Sequence, residues 1–580
     1  MPSMELLRKH WWALVLAFLV GVTTIAPALV FTFSRGYQGI TMMGADAESH
    51  YLARIRQVYD GFPTQGDTFF ADKSLPPIEP GLGEWMVART GELLRLSASQ
   101  VELYGKFFLP FLAALLIYAL VYALSASRAT SVLSVLAIMF GDAFVSNPKS
   151  LLGLLHGSAP TARFLTYARP INPGVSALFL FGALYLVYQL FFTEIRETRG
   201  RRRFVFLLAT GLLAGMSLYV SFYTFAFLTI FGVLLLVYRW IQREYKAVLD
   251  LALIGAVAVT CAIPFLLNYE RLIQNPAYAA ASMRFGLMST HAPLFSVLLV
   301  FLLVIPFFFP KRLSSARLFF VVSAIALSML INQQILTGRE IQSGHFHWYV
   351  TKPLFSIMAV LLFTYLLDRF IPHRTVRIVL CALAGVVLIY AGALIQYASY
   401  RAAFTEAASA QAYAPVLAWL AKQPGTNTVW ADSKLSPYIS IYTQDNAPNN
   451  PYAVYYLIPE PALIESALLP YRLEGVAPSA IQVQLQKSRA QISQRLFGVY
   501  WSEKDGSYAD IPVSYLAAYA TQYAGLHRES LASVLASLGV TEVVWDTKNN
   551  PGWDLNALAS GSPVSIGRFR IYRLPSLSHG

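Results

Sequence analysis

The sequence predicts a polytopic α-helical membrane protein that ends in a C-terminal α/β domain. Of its 580 residues, 56% are hydrophobic and only 13% are charged, and the mean hydropathy is +0.51. An ordinary soluble domain carries about 25% charged residues. Long apolar runs recur as far as residue 398, after which amphipathic helices alternate with short strand-like runs.

The net charge of +13 would suit a nucleic-acid-binding protein. The lysines and arginines, however, cluster between the apolar runs, where positive charge orients spans in a membrane. The sequence therefore predicts a lipid bilayer, and no nucleic acid, as partner. Cys261 and Cys381 both lie inside apolar runs and far apart, which excludes a disulfide framework or a cysteine-rich metal site.

The membrane part is predicted to contain about eleven spans, because a transmembrane helix needs about 20 mainly apolar residues. The first run is too long for a signal-peptide core and is predicted to be a retained span. The runs begin near Trp12, Phe107, Thr130, Val175, Phe204, Phe222, Leu249, Leu294, Leu318, Leu354 and Ile378.

Positive charge predicts an N-terminus in the cytoplasm, since every short connection on that face is then basic. One long helix through LYVSFYT (218–224) would invert everything downstream, so two separate spans are predicted there. The basic residues are Arg8, Lys9, Arg128, Arg196, Arg199, Arg201, Arg202, Arg203, Arg239, Arg243, Lys246, Lys311, Arg312, Arg317, Arg369, Arg374 and Arg377.

The predicted orientation places all the long connections outside the cytoplasm, in a plasma or inner membrane. The two predicted domains are a transmembrane domain, 1–398, and an extracytoplasmic α/β domain, 399–580. Within the second, TNTVWAD, VTEVVWDT and RFRIYRL have the residue pattern of strands. The long external loops are 34–106, 142–173, 269–293 and 337–353.

The first external loop contains the charged stretch GADAESHYLARIRQVYDGFP, residues 44–63. Its apolar residues recur at spacings of three and four, which predicts an amphipathic helix. Asp46, His50 and Arg54 fall on a second, polar stripe. Such a helix is predicted to lie at the membrane interface with its polar stripe toward water or a cavity. The alternative is that Asp46 only favours a helix N-terminus while His50 and Arg54 cover an exposed face.

The acid after the first span, then His50-Tyr51, Arg54 and Gly61-Phe62, resembles the first external loop of GT-C membrane glycosyltransferases. Within that superfamily it is most similar to the catalytic subunits of oligosaccharyltransferases. The resemblance implies a GT-C-like fold, and it implies that Asp46 lies in an active site near a sugar donor and a divalent metal, Mg or Mn. Glu48 is a second, weaker candidate for the catalytic carboxylate.

The chain departs from that family in its acceptor motif. Oligosaccharyltransferases carry WWDYG in the C-terminal domain, and this chain does not, so the resemblance does not extend to the peptide sequon. Asp142 in MFGDAF and Glu340 in TGREIQSGHFHWY occupy loops comparable to the family's other acidic motifs, without the full motifs. Asp142 is thereby a candidate metal ligand, and equally a helix-end residue facing interfacial water.

The implied reaction is transfer of a sugar from a polyprenyl-phosphate donor to a glycan, lipid or protein acceptor. No glycine-rich phosphate loop is present, which disfavours a nucleotide-sugar donor. One carboxylate suffices to deprotonate an acceptor hydroxyl when the leaving group departs as a phosphate. The candidates for substrate binding, beside Tyr51, His50 and Arg54, are Arg284, His291, Arg339, Glu340, His345 and His347. The histidine pair is alternatively an interfacial aromatic cluster.

Two other function classes are compatible with a polytopic chain: a transporter or lipid flippase of envelope glycans, and a non-catalytic scaffold. Transporters usually keep ionisable residues at mid-membrane depth. Here the predicted span centres are almost free of charge and the acids and histidines crowd the external loops, which favours interfacial chemistry.

Overall fold

The computed structural model describes residues 2–44, 47–193, 200–498, 513–555, 558 and 562–574. The membrane part consists mainly of helices and contains one antiparallel strand pair among the described residues, β1 (Leu287–Ser289) with β2 (Arg339–Ile341). Its helices are α1 (Pro2–Thr32), α2 (Glu48–Tyr59), α3 (Leu82–Leu93), α4 (Ala98–Ser125), α5 (Arg128–Phe140), α6 (Asp142–Ser146), α7 (Ser150–Leu154), α8 (Ser176–Phe191), α9 (Arg201–Met216), α10 (Phe222–Ile241), α11 (Tyr245–Gln274), α12 (Tyr278–Arg284), α13 (Val297–Val304), α14 (Ser314–Ile331), α15 (Gln334–Thr337), α16 (Ser343–Phe346), α17 (Lys352–Phe370) and α18 (Arg374–Ala410).

Nine helices among the described residues are long and apolar enough to cross a membrane. They coincide with nine of the predicted spans. The runs predicted near Thr130 and Leu294 form the shorter apolar helices Arg128–Phe140 and Val297–Phe308, so a count of eleven spans stays a prediction.

Helices α9 and α10 are separate, as the sequence predicts. The chain leaves α9 through a 3₁₀ turn, Ser217–Tyr219, before α10 begins. Gly211 packs against Val257 and Gly215 against Cys261 so closely that neither has room for a Cβ atom. Because these contacts advance together along both chains, α9 and α11 are parallel, and α10 between them runs the opposite way. The break is therefore a reversal of direction.

Basic residues meet at one end of the helix bundle. Arg203 pairs with Asp250 at the start of α11, and Arg239 pairs with Glu244 after α10. Arg312 and Arg377 both pair with Asp368 near the end of α17. At the other end, Asn268 donates to the carbonyl of Pro77, 3.0 Å away. The long connections predicted to be external thus lie opposite the basic end.

The C-terminal part is a small mixed sheet surrounded by helices, which confirms its α/β character. The strand order is β3-β4-β6-β5, with β3 parallel to β4 and the other pairs antiparallel. Its elements are α19 (Ala414–Leu420), β3 (Val429–Trp430), α20 (Ser436–Tyr442), α21 (Glu460–Leu473), α22 (Ile481–Lys487), α23 (Arg489–Phe497), α24 (Val513–Arg528), α25 (Leu531–Ser537), β4 (Glu542–Asp546), β5 (Val564–Ile566) and β6 (Phe569–Arg573).

The loop between α1 and α4, predicted to be the first external loop, shares a hydrophobic core with this C-terminal part. Leu52 and Phe69, both fully buried, belong to the same cluster as Trp430, Tyr456 and Leu468. Burying a leucine or phenylalanine side chain contributes about 1.5–3 kcal/mol, so each such contact ties the loop to the domain above it. The predicted domain boundary at 398/399 falls within the continuous helix α18 and stays a prediction.

Candidate active site

Helix α2 begins later than the polar stripe requires. Its first residue is Glu48, and Ala47 before it has a left-handed backbone with φ of 56°. Asp46, predicted as the catalytic carboxylate and as a metal ligand, lies outside the described residues. Among the described residues, the polar stripe consists of His50 and Arg54.

The prediction that this helix lies on the membrane surface is wrong. His50 is only 7% exposed and Arg54 only 2%, while Ile55 and Val58 on the apolar side are fully buried. The apolar side packs on α3 and α4 through Ala88 and neighbouring residues. The C-terminal domain covers the polar side of the helix. It supplies hydrogen-bond partners for that side, which the interior of a bilayer does not have.

His50 joins α2 to the C-terminal domain. Its Nε2 atom is hydrogen-bonded to the Tyr456 hydroxyl at 2.9 Å, and that hydroxyl accepts a second bond from Thr68 at 2.7 Å. The imidazole stacks on Tyr452 with ring centroids 5.0 Å apart. Burial, reinforced by the charge of Arg54, holds the pKa of His50 well below its usual range. His50 is therefore a neutral structural link at physiological pH.

This burial predicts a pH dependence of stability. Below about pH 6.5 an unfolded histidine binds a proton that folded His50 does not, so stability falls as pH falls, by about 1.4 kcal/mol per pH unit. The midpoint of thermal unfolding in detergent should drop more between pH 7.5 and 5 for the parent than for His50→Gln. Parallel pH profiles for the two proteins would contradict a buried neutral His50.

Arg54 is the centre of a buried ionic network within the first loop. It pairs with Glu79 at 2.8 Å and with Glu84 at 2.9 Å, and it donates to Gln65 at 2.9 Å. Burial alone would lower the pKa of Arg54, but Glu84 and Glu79 raise it above its usual value. All of these partners lie in the loop itself, so the network braces the loop and occupies the guanidinium that was predicted to bind substrate.

Tyr51 faces a second cluster, on the bundle side of α2. The Arg169 guanidinium carbon lies 5.9 Å from the Tyr51 ring centroid, and Arg169 Nη1 donates to the Tyr349 hydroxyl at 3.4 Å. His345 packs 5.5 Å from the Tyr349 ring and stacks on Tyr223 at 4.7 Å. Burial raises the pKa of Tyr51, which keeps it a neutral phenol beside the arginine.

Asp142 and Lys352 continue the same cluster. They pair at 3.2 Å, and Thr166, three residues before Arg169, donates to Asp142 at 3.4 Å. The Lys352 ammonium also lies 3.1 Å from the Trp348 ring centroid, and His347 packs against the edge of that ring. Arg169 and Lys352 thus lie on two segments that contact each other through Tyr349 and through Asp142 and Thr166.

The turn before α2 is fixed to α4. Lys106 pairs with Glu48 and, at 3.2 Å, with Glu102, and it approaches the carbonyl of Met42 at 3.4 Å. The Gly44 amide donates to Glu48 at 3.0 Å. Glu48 and Glu102 are 1% and 0% exposed. Glu48, predicted as a second catalytic acid, is thus held by the Lys106 ammonium and by the Gly44 amide. Gly44 and Glu48 lie on either side of position 46 in the sequence.

Four predicted substrate-binding residues occupy another part of the bundle end that is predicted to be external. Arg284 is buried, with Tyr519 and Glu460 of the C-terminal domain nearby. His291 is exposed beside Ile335, and Arg339 and Glu340 form β2. Among the described residues, no hydrogen bond or ion pair joins these four to α2.

The divalent metal implied by the sequence stays a prediction. Nowhere in those ranges do three His, Cys, Asp or Glu side chains group closely enough to hold an ion. The carboxylate of Asp142 is already paired with Lys352. A site formed by Asp46 and Asp142 stays a prediction, and no step below depends on it.

Sequence reasoning missed three residues of this region. Arg169 comes two residues after Tyr167 and directly before a proline in TYARPINPG. It lies at the mouth of a span, where a lone charge indicates a specific partner. Glu102 and Lys106 are four residues apart, the spacing of a helical ion pair. Their contacts with α2 and its preceding turn cannot be deduced from that spacing.

Two solved structures from Archaeoglobus fulgidus are similar to this chain. The oligosaccharyltransferase in its apo form is 12% identical over 93% of this chain and 70% of that chain, with a TM-score of 0.46. The oligosaccharyltransferase AglB in complex with an inhibitory peptide and a dolichol-phosphate is 11% identical over 93% and 70%, with a TM-score of 0.42. No protein-family model and no curated protein matches the sequence. Because both TM-scores lie below 0.5, the case for function rests on the site.

Proposed function

We propose that this chain is a membrane glycosyltransferase that moves a sugar from a polyprenyl-phosphate carrier to an acceptor. One observation carries the proposal: residues on both sides of position 46 contact the segment 164–169, which bears Arg169. Gly44 packs against Phe164 without room for a Cβ atom, and Tyr51 lies beside the Arg169 guanidinium. Arg169 is a cation suited to a phosphate, and the proposal pairs it with the carboxylate of Asp46.

In the proposed reaction, an acceptor hydroxyl attacks the anomeric carbon of the donor sugar. The bond from that carbon to the phosphate oxygen breaks, and the carrier phosphate leaves with the electron pair. Asp46 takes the proton of the attacking hydroxyl. Arg169 and Lys352 stabilise the charge that develops on the phosphate. The phosphate needs no proton to leave, so one carboxylate suffices, whereas a glycosidase normally needs two.

The other predicted residues take supporting roles in this proposal. Glu48 fixes the start of α2 to Lys106 and to the Gly44 amide. His50 joins α2 to the C-terminal domain, and Arg54 braces the first loop from within. His345 and His347 flank the two cations on the phosphate side. The acceptor reaches the site from the side of the C-terminal domain, in the external space of a plasma or inner membrane. Which acceptor, glycan, lipid or protein, stays open.

A transporter or flippase is the second candidate, and the placement of charge disfavours it. Arg203 lies in the first turn of α9, Asp250 in the second turn of α11 and Arg239 in the last turn of α10. Glu102 and Lys106 lie in the second and third turns of α4 and are paired with each other. A substrate path through the bilayer calls for ionisable groups near its midplane, whereas these lie near the helix ends.

Replacing Arg169 tests the proposal. The assay is transfer of radiolabel from a panel of polyprenyl-phosphate sugars by purified protein in nanodiscs. Removing a donor that stabilises developing negative charge costs about 10²–10³-fold in rate, so Arg169→Met should lose that much and Arg169→Lys less.

The matched control is Arg163→Met, which removes an exposed arginine from the same loop and should transfer sugar at the parental rate. Thermal unfolding of all three variants separates a folding defect from a chemical one. A stably folded Arg169→Met protein with parental activity, or a parent inactive on every polyprenyl-phosphate donor, would overturn the proposal.

A further inference from the structure

Helix α3 presents an uncovered apolar face at the external end of the bundle. Trp85 is 42% exposed, Met86 37% and Leu93 83%, and Leu94, just after the helix, is 58% exposed. At helical spacing Trp85, Met86 and Leu93 fall on one side of α3. The opposite side is buried, with Val87 and Ala88 packed against α2. So large an exposed apolar face on a short helix requires a partner.

The position of α3 indicates what that partner is. Leu94 stands four residues before Ala98, where the membrane span α4 begins, so at most about 14 Å of chain separates them. The exposed side of α4 is also apolar, formed by Tyr104, Phe108 and Leu112. The α3 face therefore lies next to the point where the lipid-facing surface of the bundle begins.

The chemistry of the face matches the boundary between headgroups and acyl chains. Arg89 lies on the same side, its guanidinium carbon 5.9 Å from the centroid of the Trp85 ring, and pairs with Glu92. Tryptophan and arginine are the residues favoured at that boundary, since each combines an apolar body with a polar end. A protein partner that covered this face would have to lie among the lipid headgroups, at the same height along the membrane normal.

We infer that α3, and not α2, is the interfacial helix of the first external loop, with Trp85, Met86 and Leu93 inserted into the outer leaflet. Helix α2 packs on the buried side of α3 and begins at Glu48, directly after the turn at Ala47. The inserted helix thus sets the height of that turn above the acyl chains. This inference concerns a lipid surface and does not depend on the proposed sugar transfer.

Spin labels measure the insertion directly. Single cysteines at Trp85 and Leu93 are placed in a full-length chain with Cys261 and Cys381 replaced by serine, and are labelled in nanodiscs of phosphatidylethanolamine and phosphatidylglycerol. Collision rates with oxygen, which concentrates in lipid, are compared with those of a water-soluble nickel chelate. Cysteine at Phe108 is the lipid reference, and cysteine at exposed Ser479 is the water reference.

The oxygen-to-nickel ratio at positions 85 and 93 should lie well above that at 479 and approach that at 108. A ratio equal to that at 479 would overturn the inference, because the face would then be in water. Low collision rates with both reagents would overturn it too, because a protein surface would then cover the helix. Thermal unfolding of each labelled chain verifies that the label leaves the fold intact.

Discussion

Asp46→Asn is expected to reduce sugar transfer by about 100- to 10,000-fold, the usual cost of losing a general base. Asparagine keeps the size of the side chain and much of its hydrogen bonding but cannot take the proton of an acceptor hydroxyl. Initial rates with the best polyprenyl-phosphate donor measure the effect, and donor binding separates it from a loss of affinity.

The control for this variant is Asp60→Asn, at the other end of α2. Asp60 forms a partly exposed pair with Arg56 one helical turn away, and such pairs contribute about 0–1 kcal/mol. Asp60→Asn should therefore insert, fold and react like the parent. If Asp46→Asn does the same, Asp46 has no part in the reaction and the reacting carboxylate lies elsewhere.

Lys106→Met should destabilise the protein by about 3–5 kcal/mol, the cost of leaving buried charge without its partner. The lysine is the cation that pairs with both Glu48 and Glu102, and both carboxylates are buried. A lower midpoint of thermal unfolding and a lower yield of folded protein in detergent are the readouts.

Two further variants make this result specific. Adding Glu102→Gln to Lys106→Met removes one of the stranded charges and should restore part of the stability. Arg56→Met breaks the partly exposed pair with Asp60 and should cost at most about 1 kcal/mol. If Lys106→Met is as stable as Arg56→Met, the buried triad does not hold the turn before α2.

Local patterns were enough to predict the secondary structure and its general arrangement. Apolar runs of sufficient length became helices, and the reversal between α9 and α10 followed from the charges around it. The three strand-like segments that the sequence identified are β3, β4 and β6. Each of these features depends on a few neighbouring residues, because hydropathy, helical period and β propensity act within one element.

The sequence by itself thus determined that this is a helical membrane chain with its polar loops and an α/β domain at one end. The tertiary structure alone decided what the charged helix of the first loop contacts. His50 meets Tyr456, 406 positions later, and Tyr51 meets Arg169. An amphipathic pattern states only that one face needs apolar neighbours and the other polar ones. Lipid, water and a folded domain all meet that requirement, and only long-range packing selects among them.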